Sequence, residues 1–423
     1  MLPPELEEEI LSHLWNDTKA LKSCALTRRS FRNPAQKLLY SEISLWFFSL
    51  EESTTSTLVD ILDANPQLRH YVRRLEIIDS FREWLLNDSF ILRVLLLLDN
   101  LQALVIESRP EDDSRYEDIA WPDSFLYTFL TIIHRSSLES LSMTDLPLEL
   151  IKHGQHLTHL AVRQLSSQSL PAGSCTSCTE KLGLDTLDLP GFISPELVQL
   201  LPDVIQTERI RNLQAYTSGE IEEHHALWEI LRPCAGRLKT LAFAPCEESD
   251  DYSAKEDPIV WSAFTSLRCL AIRVDFATGH ADKEYEWPQR WEEFECYTWM
   301  FKVLDQLSSS NQCLEEIFLF LHFNIGKEIH YGDACYLWSK SIALVLDKSR
   351  FPCLKRLDAY FIDSTWFMNE FLLDCTKQLK HSQSQVNIQL YEFHSKFRRV
   401  SSDFMWSEVL PMLAWGDSSI DDI

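Results

Sequence analysis

The sequence predicts an α/β solenoid, with an N-terminal three-helix segment followed by irregular leucine-rich strand–helix units forming a curved parallel sheet with outer helices. Three observations predict it. A short phrase, apolar at its first and fourth positions and often at its sixth, recurs from Val72 to the C-terminal region. The text between phrases is helix-like and rich in leucine. The first forty residues, by contrast, carry apolar residues at helical spacing and no such phrase.

The opening Leu2-Pro3-Pro4-Glu5-Leu6-Glu7-Glu8-Glu9-Ile10-Leu11-Ser12-His13-Leu14 reads as a turn and a short helix. Proline suits a first helical turn, where no N–H is needed, and the run Glu5–Glu9 complements the positive end of the helix dipole. Leu6, Ile10, Leu11 and Leu14 make one apolar stripe. Asp17 or Thr18 can cap a second helix, expected from Lys19 to about Ser30 with Leu21, Cys24, Ala25 and Leu26 on its apolar face and Phe31 beyond. A third helical piece is expected over Pro34–Tyr40, which sets a helical domain at 1–45.

The phrases follow. Val72-Arg-Arg-Leu75-Glu-Ile77, Leu101-Gln-Ala-Leu104-Val-Ile106 and Leu138-Glu-Ser-Leu141-Ser-Met143 are the first three of ten, and Val386-Asn-Ile388-Gln-Leu390 is an eleventh. One is expected to run Leu213-Gln-Ala-Tyr216. Starts lie 19 to 47 residues apart, and five of the ten intervals fall between 25 and 29. Alternation over five or six residues gives a short strand with one buried face, and each strand–helix unit must stack on neighbours to bury its leucines. The solenoid is expected over 46–415, interrupted by insertions near 109–124, 245–258 and 278–299, with an acidic tail at 416–423.

The charge narrows the partners. The chain carries −25 at pH 7, whereas residues 1–40 hold +1. An acidic surface repels phosphate backbones, so a basic or neutral protein partner is expected and nucleic acid is not. The densest apolar run, Val94–Leu98, is too short to cross a bilayer, and Met1 leads into Leu2-Pro3-Pro4 with no secretory signal, so no membrane partner is expected. Eleven scattered cysteines fit a reducing compartment, cytosol or nucleus, with Cys269, Cys313 and Cys353 expected as small buried apolar groups.

Chemistry-bearing motifs are sparse. Ten glycines serve 423 residues, no Gly-x-Gly-x-x-Gly occurs, and Gly326-Lys327 lacks the rest of a phosphate-binding loop. Cys175-Thr-Ser-Cys178 has the spacing of half a zinc site without a second pair, and His153, His156 and His159 recur every third residue without a matching set. No Gly-x-Ser-x-Gly, His-Glu-x-x-His or kinase pattern is present, so neither a cofactor nor an enzymatic activity is expected. The insertion at 278–299 places Tyr285, Trp287 and Trp291 among acidic residues, a composition suited to protein recognition. Trp291, Phe294 and Trp299 alternatively form one face of a helix packed on the solenoid.

The N-terminal stretch resembles the F-box. The resemblance rests on Leu2-Pro3-Pro4-Glu5-Leu6, on the stripe Ile10, Leu11, Leu14, on Cys24-Ala25-Leu26-Thr27-Arg28-Arg29-Ser30-Phe31, and on Asn33-Pro34-Ala35-Gln36-Lys37-Leu38-Leu39-Tyr40 leading into Glu42-Ile43-Ser44-Leu45. The stretch Cys24–Phe31 is closest to the form frequent in expanded fungal sets, with Thr27 where an apolar residue is usual. The phrases that follow resemble the leucine-rich repeats carried by many fungal F-box proteins. The resemblance implies docking on a Skp-type adaptor of a cullin-RING ubiquitin ligase through Leu2, Pro3, Leu6, Ile10, Leu11 and Leu14, with Leu21, Cys24, Leu26 and Phe31 behind or beside them. It implies that the solenoid holds a protein substrate, with no catalytic residue. The alternative is a repeat protein outside any ligase, whose N-terminal helices only cap the solenoid.

Overall fold

A computed structural model describes residues 3–47, 54–79, 88–108, 121–144, 146–162, 165–166, 180–189, 195–217, 221–245, 257–277, 295–324, 340–363 and 386–394. The expectations for Leu2, for Cys175 and Cys178, for Tyr285, Trp287 and Trp291, and for the acidic tail lie outside the described residues, as does most of each insertion. The chain forms two compact units, Met1–Leu184 and Asp185–Ile423.

The first unit opens with three helices, α1 (Pro4–Ser12), α2 (Thr18–Thr27) and α3 (Arg29–Leu39). Asp17 caps α2, its Oδ1 accepting from the Ala20 N–H at 2.9 Å. The break between α2 and α3 falls at Arg28, which is extended at φ −148° and ψ 139°. The third helix therefore starts five residues earlier than expected and carries Pro34 inside it. Strand β1 (Glu42–Phe47) follows at once. Then come α4 (Thr54–Ala64), α5 (Pro66–Arg69), β2 (Arg74–Asp79), α6 (Ser89–Leu97), β3 (Ala103–Ser108), α7 (Asp123–Ile133), β4 (Ser140–Met143), the short β5 (Leu146–Pro147), α8 (Leu148–Ile151), β6 (His159–Val162) and the short β7 (Leu165–Ser166). Strands β1-β2-β3-β4-β6 are parallel and adjacent in that order, and β5 pairs with β7.

The second unit repeats the design with β8 (Thr186–Leu189), α9 (Pro195–Val204), β9 (Asn212–Thr217), α10 (Ile221–Cys234), β10 (Thr240–Pro245), β11 (Cys269–Ala277), α11 (Glu295–Ser310), β12 (Glu316–Asn324), β13 (Arg356–Asp363) and β14 (Asn387–His394). These seven strands are also parallel and adjacent in chain order. Such sequential parallel pairing through helical crossovers is what a solenoid-like α/β fold requires.

Each phrase forms a strand, and its fourth residue takes a fixed register position. Leu75, Leu104, Leu141 and Leu160 align in the first unit; Leu187, Leu213, Leu241, Leu270, Ile317 and Leu357 align in the second. All are buried. This register corrects the ninth strand: Leu213 is the fourth residue of its phrase, so the first is the buried Ile210, and Tyr216 falls on the opposite face. An isoleucine in the lead position hid the true start. Burial of each such side chain contributes about 1.5–3 kcal/mol before chain entropy is counted.

The expectation of one buried face fails in the second unit. Opposite the leucines, Ala242, Ala244, Ala271, Phe318, Phe320 and Tyr360 form a second buried cluster with Cys269, and Tyr216 packs against it. Phe320 and Tyr360 stack at 4.6 Å between ring centroids. The residues between the framework positions are here small or aromatic, so both faces exclude water. Cys313 and Cys353, expected inside, are exposed because each directly precedes a phrase, outside the strands and helices.

Candidate functional site

The three N-terminal helices close a small core of their own. Leu11, Leu21 and Ala35 are buried at its centre, with Leu14, Cys24, Ala25, Phe31, Leu38 and Leu39 packed around them. Charge ties the pieces together. The carboxylate of Glu7 is buried and lies 3.3 Å from Arg28 at the α2–α3 break, and Lys37 of α3 reaches Glu8 of α1 at 3.2 Å. The Arg28 guanidinium also sits 5.7 Å above the Phe31 ring, a cation–π distance.

This closure sorts the predicted contact residues. Leu11 and Leu21 are interior, so they hold the helices rather than meet a partner directly. Cys24, Phe31 and Leu14 are half-buried edges of the same core, and Pro3 is exposed. Leu6 and Ile10 are 50% and 49% exposed, one helical turn apart on α1. Leu26 is 89% exposed on α2, and Trp15, between α1 and α2, is 64% exposed. Four large apolar side chains thus stand in solvent on a small helical unit.

A second concentration of polar chemistry lies inside the second unit. Asp257, beside the strand-leading turn 261–263, has a side chain 1% exposed. Its Oδ2 accepts from the indole N–H groups of both Trp261 and Trp299 at 2.8 Å, and its Oδ1 accepts from the Ile259 N–H at 3.0 Å. His224 of α10 presents Nδ1 at 3.6 Å from Oδ1, while its Nε2 lies 3.1 Å from the Thr217 hydroxyl. Burial pushes the Asp257 carboxyl up, but the neighbouring His224 imidazole and the hydrogen bonds from Trp261 and the Ile259 N–H prevail and hold it below its ordinary value. A hydroxyl, an imidazole and a carboxylate in series have the order of a nucleophilic triad. Here Thr217 and His224 are fully buried and the set is packed among Phe243, Trp261 and Trp299, so what it does is join α10, the strand β10 layer and α11. Nothing in the sequence flags it, because its members are separated by up to 82 residues.

On the opposite face, Arg356 and the buried Asp358 of β13 form a two-pronged pair at 2.7–3.1 Å, with Arg356 5.3 Å above the Phe318 ring. The bond to Asp358 raises the Arg356 pKa despite partial burial. His153 is buried and meets His134 edge to face at 5.1 Å, whereas His156 is exposed, so the three-residue histidine spacing assembles nothing. Among the described residues no three metal-ligating side chains converge, and no helix is long and apolar enough to cross a membrane.

No family model matches the chain, and no curated protein matches it in sequence.

Proposed function

We propose that this chain is the substrate-recognition subunit of a cullin-RING ubiquitin ligase, with the N-terminal helices docking on a Skp-type adaptor and the strand–helix units holding a protein substrate. The carrying observation is that Leu6, Ile10, Leu26 and Trp15 stay in solvent on a helical unit whose core is already closed by Leu11, Leu21 and Ala35. A segment serving only as a cap would turn such side chains toward the sheet it covers. On this reading the chain contributes proximity and no chemistry, raising the effective concentration of substrate near the ubiquitin-carrying enzyme. It works in the cytosol or nucleus.

The test is co-expression with the adaptor, comparing wild type with Leu6→Asp/Ile10→Asp. Both positions are half-exposed, so the variant is expected to keep its circular dichroism while losing the complex. Leu11 is unsuitable, because a charge there unfolds the helices. If wild-type protein is folded and captures no adaptor, the proposal falls and the stand-alone repeat protein takes its place.

A further inference from the structure

The strands of the second unit are preceded by a backbone ladder whose basic side chains lie in solvent. Arg211 N–H donates to the Asp185 carbonyl at 2.9 Å, Lys239 to Arg211 at 2.7 Å, Arg268 to Lys239 at 2.8 Å and Glu315 to Arg268 at 2.8 Å. Three consecutive rungs on neighbouring strands are therefore basic and exposed. Adjacent rungs sit about 4.8 Å apart, one strand spacing. Arg209 and Arg237, each two residues ahead of a basic rung, add two more exposed cations to the same edge.

Among the described residues little offsets them. Asp185 and Glu315 flank the strip, but each lies 3.9 Å from its nearest guanidinium, and Glu315 is held closer by Lys355 at 2.6 Å. Among the described residues Lys239, Arg209 and Arg237 have no carboxylate within ion-pair distance. The architecture does not demand this composition: the equivalent rungs of the first unit are Ser41, Arg73, Gln102, Glu139 and Thr158, a mixed set with the same backbone bonds. Three successive cations between Asp185 and Glu315, on a chain of net charge −25, are a local choice.

We infer that the strand-leading edge formed by Arg211, Lys239 and Arg268, with Arg209 and Arg237, is a docking surface for a short acidic segment of a partner protein. Three rungs span roughly 10 Å, enough for a few carboxylates. A nucleic acid would extend past the strip onto surface of the opposite charge sign, where the acidic remainder of the chain repels it. The inference does not rest on the ligase reading.

The experiment is fluorescence anisotropy on the full chain with three labelled probes: a short glutamate–serine peptide, its lysine–serine counterpart and a single-stranded oligothymidylate. Wild type is expected to bind the acidic peptide, and Arg211→Gln/Lys239→Gln/Arg268→Gln to weaken it about tenfold, since exposed charge pairs contribute modestly each. Unchanged circular dichroism accompanies that loss, and the single change Lys239→Glu serves if the triple variant does not fold. Leu6→Asp/Ile10→Asp is expected to bind the peptide as wild type does, which separates this surface from the adaptor question. Absence of peptide binding, binding indifferent to the three substitutions, or tighter binding of the oligonucleotide each overturns the inference; a strip that merely complements helix ends would lose stability on neutralisation and bind nothing.

Discussion

Asp257 is the centre of one buried polar cluster of the second unit. One carboxylate answers two indoles, a backbone N–H and a histidine. Its removal leaves those donors buried without an acceptor, so Asp257→Ala is expected to cost about 3–5 kcal/mol in urea unfolding at neutral pH. The pH dependence follows from the direction of its shift. A carboxyl held below its ordinary value in the folded state contributes stability that is complete above the unfolded pKa and is lost as pH falls through the folded one. Wild type should therefore lose stability steeply on acidification below the ordinary carboxylate range, and Asp257→Ala should flatten that part of the curve. Equal slopes in the two proteins would show that other carboxylates dominate acid unfolding. Cys234 supplies the opposite case at this scale: burial pushes its thiol up to about 12, so it is expected to resist alkylation in the native state while the exposed Cys313 reacts.

At the scale of elements, helix ends are where side chains decide the outcome. Arg135, just beyond α7, reaches back to α6 and donates to the carbonyls of Leu95, Leu96 and Leu98 at 3.3, 3.1 and 2.6 Å, satisfying a C-terminus that has lost its helical partners. Arg135→Ala is expected to cost about 1–3 kcal/mol, with hydrogen exchange quickening first in α6. Such contacts explain what the sequence could and could not reveal. The strands were legible because a leucine at a fixed position fell in one register row from Leu75 to Leu160 and again from Leu187 to Leu357. Strand β1 lacks the leading leucine and so stood outside the phrases, though Ile43 and Leu45 alternate as the others do. The helix boundary at Arg28 was illegible because nothing in Thr27-Arg28-Arg29 is a helix breaker; the salt bridge to Glu7, 21 residues away, accompanies the turn. For the same reason the sequence stripe could not separate Leu11, inside, from Ile10, outside: neighbouring positions on one helix diverge in burial only once α3 is in place.

Across the whole molecule the dominant unspent term is charge. A chain of −25 with isoelectric point near 4.9 repels itself at neutral pH, and the N-terminal helices and the Arg211–Lys239–Arg268 edge run against that sign. Salt screens both effects, with a Debye length of about 10 Å at 0.1 M, and it must act on them in opposite directions. Screening relieves the repulsion among acidic residues, so the urea midpoint is expected to rise between low and moderate salt. The same screening weakens an acidic peptide bound to the basic edge, so its affinity is expected to fall over that range. The proposed adaptor docking through Leu6, Ile10 and Leu26 would be apolar, and it is expected to change little or to strengthen slightly. One salt titration with three readouts therefore separates the three forces at work: a midpoint that falls with salt would mean that specific ion pairs outweigh the net charge, and peptide affinity insensitive to salt would mean that the basic edge is not what holds the peptide.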